Sequence, residues 1–364
     1  MGSLSRCWCT VVALLAVGLA MVAGAATVVH AAVWADGRTR VEVPSWKVVE
    51  VTHETNGLEL LTAVAPPRRL TRSSGFCPAI SPDGHTVAFF TSQGLSVVDV
   101  RGGGAARRMG AAGPPASWAG EACSAVGTYR LAWSKDSKWL AFSFSGACPP
   151  TNRHCLTGSF IVGADGSGLR RLASGAAYAF SWSPDGRGLA ATVKGTSLIA
   201  FSTIGGAQRV LSQPGDGVLG APAWSGDGRL IAFGRHCSGA HRGPGGGDLM
   251  CDMTVIAADG TGERTLIHRQ GASGPYAEAP AWLSTGELLV SQSYERQGIY
   301  AINARTGMIR KVGDQLVEVL TAGPHGTFAY LGSGGLYISD KTGHVLVRHA
   351  VFRPEVGFAT IWLG

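Results

Sequence analysis

Six times along this chain a tight turn, or a degraded copy of it, is followed by a short apolar run. The best copy is Trp182-Ser183-Pro184-Asp185-Gly186, and Ile80-Ser81-Pro82-Asp83-Gly84, Trp133-Ser134-Lys135-Asp136-Ser137 and Trp224-Ser225-Gly226-Asp227-Gly228 align with it. Weaker copies are Trp282-Leu283-Ser284-Thr285-Gly286 and Ala322-Gly323-Pro324-His325-Gly326. In such a turn proline presets φ at the first corner, aspartate accepts from nearby backbone N–H groups, and glycine takes the positive φ that closes a hairpin. One such turn would mean little. Recurrence at a fixed period is the mark of a repeat architecture.

Each turn leads into a run of strand length: TVAFFT, WLAFSF, LAATV, LIAFG, ELLVS and TFAYLG. A third strand follows (GLSVVDV, GSFIVGADG, TSLIAFST, DMTVIAADG, GIYAINART, GLYISDKTG), then a shorter basic or polar fourth such as ARRM, LRRLAS, QRVLS, ERTLI, MIRKV and VLVRH. Four antiparallel strands per unit make a propeller blade. The aligned positions 80, 133, 182, 224, 282 and 322 lie 53, 49, 42, 58 and 40 residues apart, a spacing suited to four-stranded blades with insertions.

Both ends carry partial blades. Trp46 to Glu54, Gly57 to Val64 and Pro67 to Arg72 read as second, third and fourth strands without a first, and Phe358 to Gly364 reads as a first strand with nothing after it. The expectation is an all-β, seven-bladed propeller over residues 45–364, closed by pairing the C-terminal strand with the N-terminal three. Such closure removes the exposed edges of an open sheet. The alternative is six blades, with the N-terminal segment as an extra edge. The 53 glycines and the 15% of charged residues argue against long amphipathic helices.

Before the blades, Arg6 precedes an uncharged apolar stretch from Cys7 to Val29. Residues 1–31 read as a signal peptide or an N-terminal membrane anchor, with small-x-small cleavage sites at Ala23-Gly24-Ala25 and Val29-His30-Ala31, and residues 32–44 read as a linker. The expected location is therefore outside the cytoplasm, secreted or associated with the cell envelope. The net charge of +7 is mild for 364 residues and its basic residues are scattered, so nucleic acid is not an expected partner.

The turn and the strand after it resemble the TolB-type, or WD40-like (PD40), β-propeller repeat family, whose hallmark is x-W-S-P-D-G-x-x-I/L-A-F. The resemblance spans roughly residues 75–335, is strong at Ile80, Trp182 and Trp224, and decays where the aspartate becomes Thr285 or His325. It implies that the motif's Trp and Asp residues are structural parts. The small α/β domain of TolB finds no room before these blades, so a role in the Tol-Pal system is not implied. Related propellers stand before hydrolase domains in prolyl-oligopeptidase-like peptidases, but no G-x-S-x-G nucleophile elbow is found in this sequence.

In a blade, first-to-second and third-to-fourth turns share one face, and second-to-third loops and interblade connections share the other. The tight turns make the first face plain. The long excursions, Met109 to Thr128, Ser145 to Thr157, Gly234 to Asp252 and His268 to Ala277, fall on the second. So do six cysteines: Cys77, Cys123, Cys148, Cys155, Cys237 and Cys251. In an oxidising compartment an even number points to disulfides. Candidate pairs are Cys148 with Cys155, Cys237 with Cys251 and Cys77 with Cys123, among fifteen possible connectivities. The rival reading is a metal site, since His154 precedes Cys155 and His236 precedes Cys237, but the spacing lacks the usual zinc pattern and neither a metal nor a cofactor is expected.

The loops holding these cysteines carry Arg153, His154, Arg235, His236, His241 and Arg242, opposed mainly by Asp248. They are either a solvated face or a site for an acidic partner. At the central channel the polar residues of the first strands and their approaches are Arg130, Glu278 and Glu318, with Tyr129 and Tyr178. Two carboxylates and an arginine make either a small polar pocket or a self-satisfied ion pair, and too few ligands converge for a cation. The expected function is thus a monomeric, exported, non-catalytic binding scaffold, with membrane contact only through the N-terminal segment if it is uncleaved. It would engage a protein or an anionic envelope component through its disulfide-stabilised loop face. The alternative is a hydrolase or lyase with a channel site.

Overall fold

The computed structural model describes residues 32–35, 39–42, 45–51, 57–63, 65–71, 75–91, 94–101, 105–109, 131–144, 158–193, 197–203, 206–213, 219–238, 250–268, 280–292, 297–315, 317, 319–332, 335–349 and 359–363. Seven four-stranded antiparallel sheets follow one another around a ring. Blade 1 is Phe76–Ile80, Thr86–Thr91, Gly94–Asp99 and Arg107–Arg108. Blade 2 is Leu131–Trp133, Trp139–Phe144, Gly158–Gly163 and Arg170–Ala173. Blade 3 is Ala177–Trp182, Gly188–Val193, Ser197–Ser202 and Gln208–Ser212. Blade 4 is Ala223–Trp224, Leu230–Ser238, Met250–Ala257 and Arg264–Ile267. Blade 5 is Ala281–Trp282, Glu287–Gln292, Gly298–Asn303 and Ile309–Gly313. Blade 6 is Val319–Ala322, Phe328–Gly332, Gly335–Ser339 and Val345–His349.

Blade 7 is the composite one. The C-terminal strand Ala359–Leu363 pairs with Trp46–Val51, which continues through Leu58–Thr62 to Arg68–Arg69. First strands of neighbouring blades touch all the way round, including that of blade 7 with those of blades 6 and 1. The ring is therefore closed, as the two partial blades require. Residues 32–44, expected as a linker, contain a two-stranded hairpin, Ala32–Ala35 with Thr39–Glu42. Residues 1–31 lie outside the described residues.

Second and third strands are short, apolar and buried, so each blade packs both faces against its neighbours. Val87–Phe90, Leu140–Phe144 and Leu189–Val193 are all buried, and the core runs as one cluster per blade interface. The recurrent turn is a hydrogen-bonded clamp. In blade 3 the Ser183 hydroxyl donates to Asp185 Oδ1 (2.6 Å) and accepts from the Gly188 N–H (2.7 Å), and the Arg187 N–H donates to the same carboxylate oxygen (3.0 Å). Blades 1, 2 and 4 repeat this with Ser81/Asp83, Ser134/Asp136 and Ser225/Asp227. Glycine takes the positive φ at 84, 186 and 228, and Ser137 (φ 58) takes it in blade 2, where its hydroxyl also accepts from the Asp83 N–H of blade 1.

Two kinds of bolt cross the blade interfaces. The indole N–H of Trp133 donates to the Ala79 carbonyl of blade 1, that of Trp182 to Ala132 of blade 2, and that of Trp282 to Ala223 of blade 4, at 2.9–3.0 Å. Further from the axis, fourth-strand arginines reach forward to the third-to-fourth turn of the next blade. Arg68 donates to Val100, Arg107 to Ala164 and Asp165, Arg170 to Thr203, Arg209 to Ala258, and Arg264 to Ala304. A guanidinium on a carbonyl is a charge-assisted bond with fixed geometry. This gives the basic fourth strands a structural role.

The clamps also set an acid limit. Hydrogen bonds from Ser183 and Arg187 hold the Asp185 carboxyl below its ordinary range, and those from Ser225 and Arg229 do the same for Asp227. At Asp83 and Asp136 burial pushes upward, but hydrogen bonds from the turn outweigh it and the net direction is again down. A carboxyl depressed in the folded state contributes stability that is complete above its unfolded value, about 4, and is lost as pH falls through the lower folded value. Thermal melts should therefore hold steady above about pH 5 and fall progressively below about pH 4. The double variant D185N/D227N should fall less steeply; a wild-type melting temperature unchanged down to about pH 2.5 would refute the clamp's contribution.

Candidate functional site

Blade 4 departs most from the repeat. Its second and third strands, Leu230–Ser238 and Met250–Ala257, run for 9 and 8 residues, where those of the other blades run for 5 or 6. The extra length forms a ledge projecting from the second-to-third loop face. The pairing is regular as far as Arg235 with Asp252, then shifts, and resumes at Ser238 with Met250. His236 sits in that shift with φ 51, a left-handed conformation uncommon outside glycine. The bulge brings Cys237 and Cys251 to a Cα–Cα distance of 4.1 Å, and they form a disulfide. Gly234 makes room for it, since a Cβ there would stand 2.8 Å from the Cys251 Sγ. Both cysteines are buried. Closing a loop of this length contributes about 3 kcal/mol by constraining the unfolded chain.

The sequence places Arg235 and His236 in either a solvated face or a site for an acidic partner. In the fold both are turned onto carboxylates of their own chain. Arg235 forms an ion pair with Glu263, and its Nη1 also donates to the Ser212 hydroxyl (2.9 Å), which donates in turn to Glu263 Oε2 (2.8 Å). Its Nη2 reaches the Gln213 carbonyl at 3.5 Å, so this arginine bolts blade 4 to the outer strand of blade 3. His236 Nδ1 lies 3.1 Å from Asp252 Oδ2, and His268 Nδ1 lies 3.6 Å from the same oxygen. Asp252 is buried, at 8% exposure, so these polar contacts help to offset the cost of removing its carboxylate from water.

The sequence reading missed Glu263, Asp252 and His268 as partners. Glu263 is 28 residues from Arg235 and in a turn, and no local pattern connects them. Asp252 was within reach of inference: a disulfide between Cys237 and Cys251 puts their neighbours His236 and Asp252 side by side.

Of the other predicted residues, Arg130, Arg153, His154, His241, Arg242, Glu278 and Glu318 lie outside the described residues, as do Cys123, Cys148, Cys155, Asp248 and Tyr129. Cys77 is buried at φ 52, beside a bulge in the first strand of blade 1, and is disulfide-bonded. Among the described residues no group of three or more His, Cys, Asp or Glu is arranged to hold a metal ion.

No protein-family model matches the chain, and no match was found among curated protein sequences. Solved structures do match. An oligogalacturonate lyase in complex with manganese is 16% identical, with a TM-score of 0.57 over 86% of this chain and 85% of that one. A puromycin-hydrolyzing peptidase of Mycobacterium tuberculosis is 16% identical, with a TM-score of 0.56 over 85% of this chain. This chain spans 52% of that peptidase's length. A protein assigned as TolB from Agrobacterium tumefaciens is 14% identical over 76% of this chain and 92% of that one, but its TM-score of 0.45 adds nothing to the fold assignment. At these identities the likeness defines the class, a seven-bladed β-propeller, and propellers carry many unrelated functions.

Proposed function

We propose that this propeller is an exported, non-catalytic binding scaffold that engages a protein or an anionic envelope component through its loop-rich face. The observation that carries the reading is the blade-4 ledge. Two overlong strands are locked by a disulfide at their far end, anchored sideways by Arg235 on Glu263 and Ser212, and built around a buried Asp252. The strand ends that flank residues 239–249 are thereby fixed on a rigid base, and rigid support lowers the entropy cost of binding. Because Arg235 and His236 are already paired, any net positive field toward an acidic partner comes from Arg153, His154, His241 and Arg242. The proposed location, outside the cytoplasm, rests on the N-terminal segment and agrees with the disulfides.

The test replaces residues 239–249 by an Asn-Gly turn, which suits a two-residue hairpin, and compares both proteins on an immobilised acidic polysaccharide and on acidic and neutral lipid vesicles. The unmodified protein should be retained by an acidic surface at low salt and released once the Debye length falls below about 8 Å, and the shortened variant should not be retained at all. Equal retention of both proteins would overturn the assignment to the ledge. The channel alternative is checked in parallel by E278Q/E318Q, which should leave retention unchanged.

A further inference from the structure

On the plain face one of the turn tryptophans departs from the pattern of bolts. At the junction of blades 3 and 4 the indole of Trp224 does not cross to the preceding blade. Its N–H turns back to the Gly228 carbonyl of its own turn (3.0 Å), while its backbone N–H donates to the Ser181 hydroxyl of blade 3 (2.8 Å). Two sequence departures at this one interface account for it. The residue before the turn's aromatic position is Ala79, Ala132 and Ala223 in blades 1, 2 and 4, but Ser181 in blade 3. The residue that opens the second strand is Thr86, Trp139 and Leu230 in those blades, but Gly188 in blade 3. The Trp224 ring occupies the space so vacated: a Cβ on Gly188 would stand 2.9 Å from it.

The result is a groove of about 580 Å³ between the two blades, with the half-buried indole as one wall and Phe201 also in its lining. Polar groups stand around that wall. Asp185 and Asp227 use Oδ1 in their turn clamps and are held ionised, which keeps them as acceptors. Arg187 and Gln208 are exposed donors, and Arg209 is committed to the Ala258 carbonyl. Two carboxylates against two guanidiniums leave the lining without net charge. An aromatic face among balanced donors and acceptors suits a flat, hydroxyl-rich, uncharged ligand with one apolar face.

We propose that this groove is a binding site for a neutral saccharide, with Trp224 as the stacking platform and Arg187, Gln208, Asp185 and Asp227 as hydroxyl partners. It lies on the face opposite the ledge and is independent of it.

The experiment is saturation-transfer NMR on the intact protein with cellohexaose, maltohexaose, xylohexaose and chitohexaose, beside trigalacturonate and an Arg/Lys-containing hexapeptide. At least one neutral oligosaccharide should receive saturation, strongest on its ring C–H protons, and trigalacturonate should not. W224A should weaken that binding by roughly tenfold or more. S181A/G188T, which restores the residues of the other blades, should abolish it by filling the ring's seat while keeping a cooperative melt. R187A, an exposed substitution that leaves the turn clamp in place, should weaken it by about fivefold through one lost charge-assisted bond. Saturation of none of the neutral sugars, binding unaffected by S181A/G188T and R187A, or preferential binding of the basic peptide would each overturn the proposal.

Discussion

Deleting residues 359–364 is expected to cost more stability than any point substitution in this chain. The strand Ala359–Leu363 supplies the first strand of blade 7, in register with Trp46–Val51 from Trp46 opposite Leu363 to Glu50 opposite Ala359. Ile361 is buried among Trp46, Val48 and Leu61 of its own blade and Ala329, Leu331 and Ile338 of blade 6. Leu363 fits so closely against Gly323 that a Cβ there would meet it at 2.6 Å. The burial of two aliphatic side chains and the ladder's hydrogen bonds together stand for on the order of 5 kcal/mol or more, which rivals the whole stability of many domains. The truncated protein also presents an unpaired apolar edge at Trp46–Val51, a template for association with other chains. It should melt much earlier and elute as oligomers on size exclusion, and a peptide of sequence GFATIWLG added in trans should reverse part of both effects. A truncated protein that melts and elutes like the full chain would show that closure at blade 7 contributes little.

The second large effect separates two tryptophans that occupy the same position of the repeat. Trp182 is 8% exposed and donates across the interface to Ala132. W182A should therefore destabilise by about 3–5 kcal/mol, because it opens a cavity and orphans a carbonyl. W182F keeps most of the apolar volume and should cost about 1–2 kcal/mol, the share of the N–H bond. Trp224 is half-buried and satisfies its N–H within its own turn, so W224A should cost less than half as much as W182A. Denaturant midpoints measured at constant slope would check all three. Equal losses for W182A and W224A would contradict the structural distinction between them.

Blade number, blade boundaries and ring closure were legible in the sequence because they depend on local chemistry. The Ser-Asp-Gly clamp involves residues at most five apart, and the apolar strands announce themselves by composition. The two partial blades added up to one because the N-terminal segment lacks a first strand and Phe358 to Gly364 reads as one. The Cys237–Cys251 bond was legible too, since both cysteines flank one hairpin insertion. Side-chain partners across blades were not. The fourth-strand arginines read only as scattered positive charge, yet Arg107 and Arg209 meet carbonyls 49 or more residues away. Arg235 looked outward-facing because Glu263 stands 28 residues further on in the same blade, beyond the reach of any local pattern. Trp224 looked like Trp182, and only the packed interface shows that Ser181 and Gly188 give its ring another seat. The hairpin within residues 32–44 escaped notice because its strands lack the turn that marks the blades.

The uneven placement of the bolts has a consequence for how such a ring comes apart. Arginines reach forward from blades 7, 1, 2, 3 and 4, while Arg310 of blade 5 turns to Glu287 within its own blade and Arg348 of blade 6 lies over its own Tyr337. Among the described residues, no indole or guanidinium hydrogen bond joins blade 5 to blade 6 or blade 6 to blade 7. That sector is held by buried packing and by a bond from the Gly326 N–H to the Ser284 hydroxyl (2.8 Å), with fewer long side-chain ties at the rim than the rest of the ring. Its amides there should exchange with solvent earliest, and a partner that wedges the blades apart would meet least resistance where the rim is least tied, away from the blade-4 ledge.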